Sequence, residues 1–215
     1  MKILDVKELA MPEIKVIKFA RFTDHRGYFT ETYRWIDFTK ELYKTDIPSK
    51  FVQANETWSR AGTFRGLHFQ WNPYMGKLVR CITGHLIDYV LDIRLKSPTF
   101  GYIIGYDMPT EASADFSEWI WVPSGFAHGT LLTKTSLVEY FCTGGYNADC
   151  EAGISPLDNE NFNWTLCEYD LMNEFKNIVQ NSPYLTDKDK QNPSLRAWQK
   201  NKNAKEFIYE EVSSV

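Results

Sequence analysis

Short runs that alternate apolar and polar residues fill the chain from about residue 14 to about residue 143, and turn signals separate them. Such runs are typical of strands with one buried face, because successive side chains of a strand point to opposite sides. Clear examples are KLVRCIT (77–83) and LIDYVLDIR (86–94), which Gly84 and His85 separate. The spacing predicts an all-β sandwich or closed barrel.

Helical periodicity is confined to two parts of the chain. WIDFTKELYK, within residues 35–44, is the one convincing helical pattern before residue 160. After Trp164, apolar residues recur at helical intervals in CEYDLMNEFKNIV and SLRAWQKNKNAKEFI, and Pro183 and Pro193 mark breaks between them. We therefore expect a single domain over residues 1–215, with a β core at about 14–164 and a helical C-terminal cover at about 165–210.

Composition agrees with a mainly β globular protein. The chain is 43% hydrophobic and 15% aromatic, and aromatic residues favour strands. Its formal net charge of −4 gives no general attraction to nucleic acid, which requires many cation–phosphate contacts. Any binding of a phosphorylated ligand must therefore be local.

The cysteines and the N-terminus bear on location. Cys81, Cys142, Cys150 and Cys167 form no C-x-x-C pair, which favours free thiols in a reducing compartment. The segment MKILDVKELAMPEIKVIKF places charges among its apolar positions, so it resembles neither a signal peptide nor a membrane span. We expect a cytoplasmic protein with no membrane partner.

The segment RGLHFQ (65–70), followed by Lys77, contains the most informative chemistry. It brings two cations and a histidine into one strand-turn-strand neighbourhood. A histidine has an ordinary pKa of about 6.5, so it can act as a general base near neutral pH. The alternative is a histidine with a structural role in the core.

A series of motifs in order along the chain then resembles the dTDP-4-dehydrorhamnose 3,5-epimerase family over about residues 14–164. The motifs are DHRGYFTE (24–31), QAN (53–55), RGLH (65–68), KLV (77–79), GHLID (84–88), DIR (92–94), SPTFG (97–101), VPSGFAHG (122–129) and Tyr140.

The resemblance implies a cupin-type β jelly roll that forms a homodimer by exchanging N-terminal strands, with the active site in the barrel mouth. It also implies that no metal ion and no redox cofactor is needed. The expected substrate is a nucleoside-diphosphate 4-keto-6-deoxy sugar, for which the resemblance favours dTDP as the nucleotide. The sugar is inverted at the carbons on either side of the ketone. Carbon acids beside a ketone can be deprotonated if positive charge stabilises the enolate.

The resemblance implies three catalytic residues. His68 is the general base, and Tyr140 is the acid that delivers a proton to the opposite face. A carboxylate orients the histidine, and the segment LTDKD (185–189) selects Asp189 for this role, with Asp187 as the alternative.

The resemblance also implies substrate-binding residues, including Arg26, which either subunit could contribute. They are Lys77 and His128 for the ketone or sugar, Arg65 and Arg26 for the diphosphate, Gln53 and Asn55 for phosphate or sugar, and Phe29, Glu31 and Tyr146 for the nucleoside. For Gln53 and Asn55 the alternative is a strand-capping role. Asp88 matches an acid in the family's site strand, and the alternative is that it only ties a neighbouring loop or histidine.

Two other functions compete with this interpretation. A metal-dependent cupin enzyme would use several clustered histidines, but Phe69-Gln70 follows His68, so no His-x-His pair exists. A non-catalytic sugar-nucleotide binder would have no use for His68, Tyr140 and an orienting acid together. The sequence leaves open which nucleotide is bound and whether one carbon or both are epimerised.

Overall fold

Strands dominate the regular structure of the computed structural model, which describes residues 1–42, 44–108, 110, 114–181 and 184–212. The strands are β1 (Ile3–Glu8), β2 (Lys15–Ala20), β3 (Phe22–Asp24), β4 (Gly27–Phe29), β5 (Gln53–Ser59), β6 (Thr63–Gln70), β7 (Lys77–Thr83), β8 (Leu86–Asp92), β9 (Ile103–Met108), β10 (Phe116–Val122), β11 (Phe126–Leu132), β12 (Ser136–Cys142) and β13 (Glu151–Gly153). The α-helices are α1 (Trp35–Glu41), α2 (Tyr169–Asn181), α3 (Asp187–Gln191), α4 (Leu195–Gln199) and α5 (Tyr209–Val212), and 3₁₀ helices occupy Ala148–Cys150, Pro156–Asn161 and Lys202–Glu206.

Two antiparallel sheets form the core. One has the strand order β1-β2-β10-β7-β12-β5 and the other β13-β6-β11-β8-β9. Apart from β1–β2 and β8–β9, neighbouring strands in each sheet are not consecutive in the chain, as in a jelly roll. The predicted mainly β jelly roll with a helical C-terminal segment is confirmed. The first sheet begins with β1, earlier than the expected start of the core at about residue 14.

The side chains between the sheets come from alternate positions of their strands. On β12, Val138 and Tyr140 belong to the interior cluster, whereas Phe141 packs in a separate cluster on the outer face of the same sheet. The interior cluster combines residues of both sheets, including Val79 of β7 and Val90 of β8. This alternation is what the sequence pattern predicts for pleated strands with one face toward the core.

The C-terminal helices cover the outer face of the five-stranded sheet. The ring of Phe175 on α2 lies 5.1 Å from that of Phe64 on β6, and the ring of Trp198 on α4 lies 4.7 Å from that of Phe69. Such edge-to-face aromatic contacts add to the free energy of burial. The cover therefore packs directly against the strand that contains His68.

The cover differs from its sequence pattern in one place. α3 lies between Pro183 and Pro193, where the prolines predicted a break. Thr186 starts this short helix, because its side chain accepts a hydrogen bond from the backbone N–H of Asp189. The segment is thereby fixed against the sheet instead of forming an irregular loop.

Helix α1 packs on the outer face of the six-stranded sheet, where Phe38 is buried in the same cluster as Trp119. It agrees with the helix predicted within residues 35–44. Strands β3 and β4 form a separate two-stranded hairpin. No helix in the described part of the chain is long and apolar enough to cross a membrane.

Candidate active site

His68 and Tyr140 come from opposite sheets and line the same cleft. His68 lies on β6 of the five-stranded sheet, and Tyr140 lies on β12 of the six-stranded sheet. The cleft has a volume of about 330 Å³. Its lining residues are Gln53, Asn55, His68, Phe69, Gln70, Met75, Lys77, Tyr140, Tyr146 and Glu151. Six of the residues implied by the resemblance are among them. A seventh, Asp189, is hydrogen-bonded to His68.

Gly66 allows β6 to run close to β11 beside His68. Its φ is +139°, and a Cβ at this position would lie 2.4 Å from the Cα of Gly129. Any larger residue would push the two strands apart. The glycine therefore helps to fix the position of His68 at the cleft and of Arg65 one residue before it in the strand.

Asp189 forms a hydrogen bond with His68. The distance from His68 Nε2 to Asp189 Oδ1 is 2.6 Å, and Thr186 Oγ1 donates to Asp189 Oδ2 at 2.9 Å. Asp189 is 4% exposed, whereas the Asp187 side chain is 87% exposed and faces Lys190 at 3.7 Å. Asp189 and not Asp187 is thus the carboxylate that contacts His68.

The charge of Asp189 decides the tautomer of the histidine. Burial alone would raise the pKa of the Asp189 carboxyl, but the hydrogen bonds from His68 and Thr186 outweigh burial and hold that pKa below its ordinary value. An ionised carboxylate can only accept hydrogen bonds, so Nε2 of His68 donates. The lone pair of a neutral His68 is then on Nδ1, which is the atom able to take a proton.

Tyr140 holds its proton firmly. Burial raises the pKa of its phenol, and the nearby Cys142 raises it further. The phenol is therefore protonated at neutral pH and can donate its proton to a basic atom of a ligand bound in the cleft.

Lys77 is the cation that lines the same cleft. Burial lowers its pKa, while Cys142, Asp88 and Glu151 act in the opposite direction. An ammonium group in so little water interacts strongly with any negative charge that develops beside it.

His128 lies next to His68 on the neighbouring strand, in register with it. Its Nε2 is 2.8 Å from Oδ2 of Asp88, and both residues are buried. It does not line the cleft itself. Asp88 therefore ties a neighbouring histidine, as one of the two sequence interpretations expected.

Three of the expected polar and aromatic binding residues are connected to one another. Gln53 Nε2 donates to Asn55 Oδ1 at 3.0 Å, and Gln53 Oε1 accepts from the backbone N–H of Tyr146 at 2.9 Å. Asn55 Nδ2 also donates to Cys142 Sγ at 3.6 Å. These contacts fix the direction of the amide groups at one side of the cleft.

Arg65 lies at a second opening, which shares His68 with the first and has a volume of about 570 Å³. Its Nε donates to Ser59 Oγ at 2.9 Å. Arg60 and Lys188 line the same opening. Three cations thus surround the approach to His68, which suits an anionic ligand such as a diphosphate.

The remaining expected residues lie away from both openings. Arg26 is on the β3–β4 turn, with its side chain 79% exposed and paired with Asp24 at 2.7 Å. Phe29, at the end of β4, is 65% exposed. Glu31 accepts from the amino group of Met1 at 2.8 Å. The structure does not bring these residues to the cleft of their own chain.

The sequence reasoning missed Glu151, Met75 and Lys188. Glu151 lines the cleft, forms an ion pair with Lys188, and pairs across the sheet with Gln70. The position of Lys188 directly before Asp189 was a usable signal. Glu151 had none, because β13 is only three residues long.

The titratable residues do not form a metal site in the described part of the chain. It contains no group of three or more His, Cys, Asp or Glu arranged to hold a metal ion. The histidines near the cleft each pair with a separate carboxylate, Asp189 for His68 and Asp88 for His128.

Comparisons with known proteins point to one family. A sequence model of the dTDP-4-dehydrorhamnose 3,5-epimerase family matches residues 8–197. The chain is 39% identical over 151 residues to an enzyme of that name from Sinorhizobium fredii, covering 69% of this chain and 73% of the relative.

Two solved structures are also similar. One is dTDP-6-deoxy-D-glucose-3,5-epimerase from Legionella pneumophila in complex with dTDP-4-keto-L-rhamnose, at 30% identity and a TM-score of 0.75, covering 95% of this chain and 97% of the other. The second is a 3′-monoepimerase from Streptomyces bikiniensis in complex with dTDP-quinovose, at 25% identity and a TM-score of 0.73, covering 96% of this chain and 94% of the other.

Proposed function

The chain belongs to the dTDP-4-dehydrorhamnose 3,5-epimerase family, and from this premise we propose how its cleft carries out the reaction. The protein is a carbohydrate epimerase that acts on a nucleoside-diphosphate 4-keto-6-deoxy sugar. One observation supports the mechanism more than any other. His68, which is hydrogen-bonded to the buried carboxylate of Asp189, lines the cleft from one sheet. Tyr140, with its phenol protonated, lines the same cleft from the opposite sheet.

His68 is the base in this proposal. Its Nδ1 removes the proton from a carbon next to the ketone, and the electron pair moves to the ketone oxygen to form an enolate. Asp189 stabilises the imidazolium that results, because it is ionised and hydrogen-bonded to Nε2. Lys77 faces the oxygen on which the negative charge develops.

Tyr140 completes the inversion. It donates its proton to the carbon from the face opposite His68, and the carbon–oxygen double bond re-forms. The new configuration results because the proton leaves on one side and returns on the other. Its location on the opposite sheet supports this role.

The nucleotide is proposed to be thymidine diphosphate. Ligands linked to dTDP occupy the similar Legionella and Streptomyces structures. In this chain Arg65 would bind the diphosphate, Gln53 and Asn55 would bind phosphate or sugar, and the exposed ring of Tyr146 would stack on the base. His128, next to His68 on the neighbouring strand, would help to orient the sugar.

We further propose a homodimer in the cytoplasm. The β3–β4 hairpin presents Phe22, Tyr28 and Phe29, which are 48%, 42% and 65% exposed. Arg26, Phe29 and Glu31 would then reach the cleft of the partner subunit, since they do not line that of their own chain. The four free thiols are typical of a reducing compartment.

Deuterium exchange tests the mechanism. The purified protein is incubated with dTDP-4-keto-6-deoxy-glucose in D₂O, and NMR follows deuterium at C3 and C5 together with the product configuration. We expect incorporation at both carbons. Incorporation at C3 alone would indicate a 3-monoepimerase, and none at either carbon would refute the epimerase function.

Two variants separate the roles, and a third is the control. His68→Asn should abolish incorporation, and Tyr140→Phe should slow product formation more than exchange, because solvent can still return a proton. His85→Asn is matched to the first, since His85 also pairs with a carboxylate, Asp107, at 2.7 Å, but lies outside both openings. It should retain wild-type turnover.

A further inference from the structure

Met75 gives the cleft an apolar spot in a mainly polar lining. Of the described residues that line it, Met75 and Phe69 are the two whose side chains have no polar N or O atom. Phe69 is 4% exposed and packs into the core with Trp198. Met75 is half-buried, so it offers accessible apolar surface to a ligand.

The backbone beside Met75 is held firmly. Gly76 donates from its N–H to Thr143 Oγ1 at 2.8 Å, and its carbonyl accepts from the Thr143 N–H at 3.0 Å. A Cβ on Gly76 would lie 2.3 Å from the ring of Trp121, so the backbone passes directly over that ring. The loop is fixed while the flexible thioether side chain can adapt to what it contacts.

Met75 is two residues before Lys77, and both line the same cleft. If the C4 oxygen of the sugar faces Lys77, the next ring carbon, C5, carries C6. In a 6-deoxy sugar C6 is a methyl group, the apolar group of the ring. We propose that Met75 contacts this methyl group and makes the cleft selective for 6-deoxy over 6-hydroxy sugars.

This inference rests on the proposed function and adds a specificity residue to it. A hydroxyl on C6 that packed against the Met75 thioether would lose its hydrogen bonds to water. The thioether would not replace them, because its sulfur accepts hydrogen bonds only weakly. Apolar sites reject an added hydroxyl by a factor of about 10 to 100. The same contact would be favourable for a methyl group.

Binding of two ketone-free ligands tests the inference. dTDP-quinovose and dTDP-glucose differ by one hydroxyl on C6, and neither can be deprotonated beside a ketone. Isothermal titration calorimetry should show the wild-type protein binding dTDP-quinovose at least about 10-fold more tightly. In Met75→Gln, whose amide can hydrogen-bond the hydroxyl, the ratio should fall below about threefold.

Met75→Leu is the matched control, because it stays apolar and should retain the wild-type ratio. A wild-type ratio near one, or an unchanged ratio in Met75→Gln, would overturn the inference while leaving the epimerase activity intact in the deuterium assay. If the wild-type protein binds neither ligand and exchanges no deuterium, the proposed function itself fails. Thermal melts of both variants check that the fold is retained.

Discussion

Replacing Asp189 by Asn tests the most specific feature of the site. The substitution keeps the shape of the side chain and removes its charge. An Asn amide can donate to Nε2 of His68, which would place the ring proton on Nδ1. The base would then have its lone pair on the wrong nitrogen.

The structure allows an estimate of the loss. Nε2 and Oδ1 are 2.6 Å apart, and Asp189 is 4% exposed. Both charges are spread over several atoms, so we take their separation as about 4 Å, which is larger than the distance between the two bonded atoms. Two unit charges at that separation interact by about 4 kcal/mol at an effective dielectric constant of about 20. That value corresponds to about a 1,000-fold loss in kcat, because each 1.36 kcal/mol is about tenfold in rate.

Initial rates measured by NMR at several substrate concentrations give kcat and KM. We expect kcat of Asp189→Asn to fall by about 100- to 10,000-fold, with KM changed less, because the charge acts on the base in the reaction step. Asp187→Asn is the control and should match the wild type, since its side chain is 87% exposed. A folded Asp189→Asn with kcat within tenfold of the wild type would contradict the mechanism.

The same variant should change the stability at low pH. The pKa of Asp189 is lower in the folded state than its ordinary value, so its carboxylate stabilises the fold fully above about pH 4. This contribution is lost as the pH falls through the lowered pKa. Urea unfolding should therefore show the wild type and Asp189→Asn converging in stability toward acid pH, and a constant difference would contradict the assignment.

Three further substitutions, with Trp58→Ala as the control for one of them, test other parts of the structure. Lys77→Arg should move the alkaline limb of the pH profile of kcat upward, because burial lowers the pKa of Lys77 below 10.5 whereas a guanidinium stays charged; an unmoved limb would assign it to another group. Trp198→Ala should lower the free energy of unfolding by about 3–5 kcal/mol in denaturant titrations, since Trp198 is 1% exposed. Trp58→Ala, at a residue 61% exposed, should change it by about 0.5 kcal/mol or less. Gly66→Ala should lower stability by about 1–3 kcal/mol and reduce kcat, because its Cβ would clash with Gly129; wild-type values for both would show that the strands can separate without cost.

Local patterns in the sequence were sufficient for much of the fold and part of the site. Period-two alternation marks a strand wherever one face is buried, so the jelly-roll strands and α1 could be predicted without any tertiary contact. The RGLH motif and Tyr140 lie on such strands. Alternation alone would place Arg65 and His68 on opposite faces of β6. In the structure the pairing of β6 with β11 shifts register between these two positions, and both residues line the second opening.

Contacts between distant segments could be decided only by the tertiary structure. His68 and Asp189 are separated by 121 positions, and the sequence could not choose between Asp187 and Asp189. That choice depends on how α3, which Thr186 caps, packs against β6. A local pattern fixes which way a side chain points from its own element, but the position of one element relative to another depends on packing across the whole core.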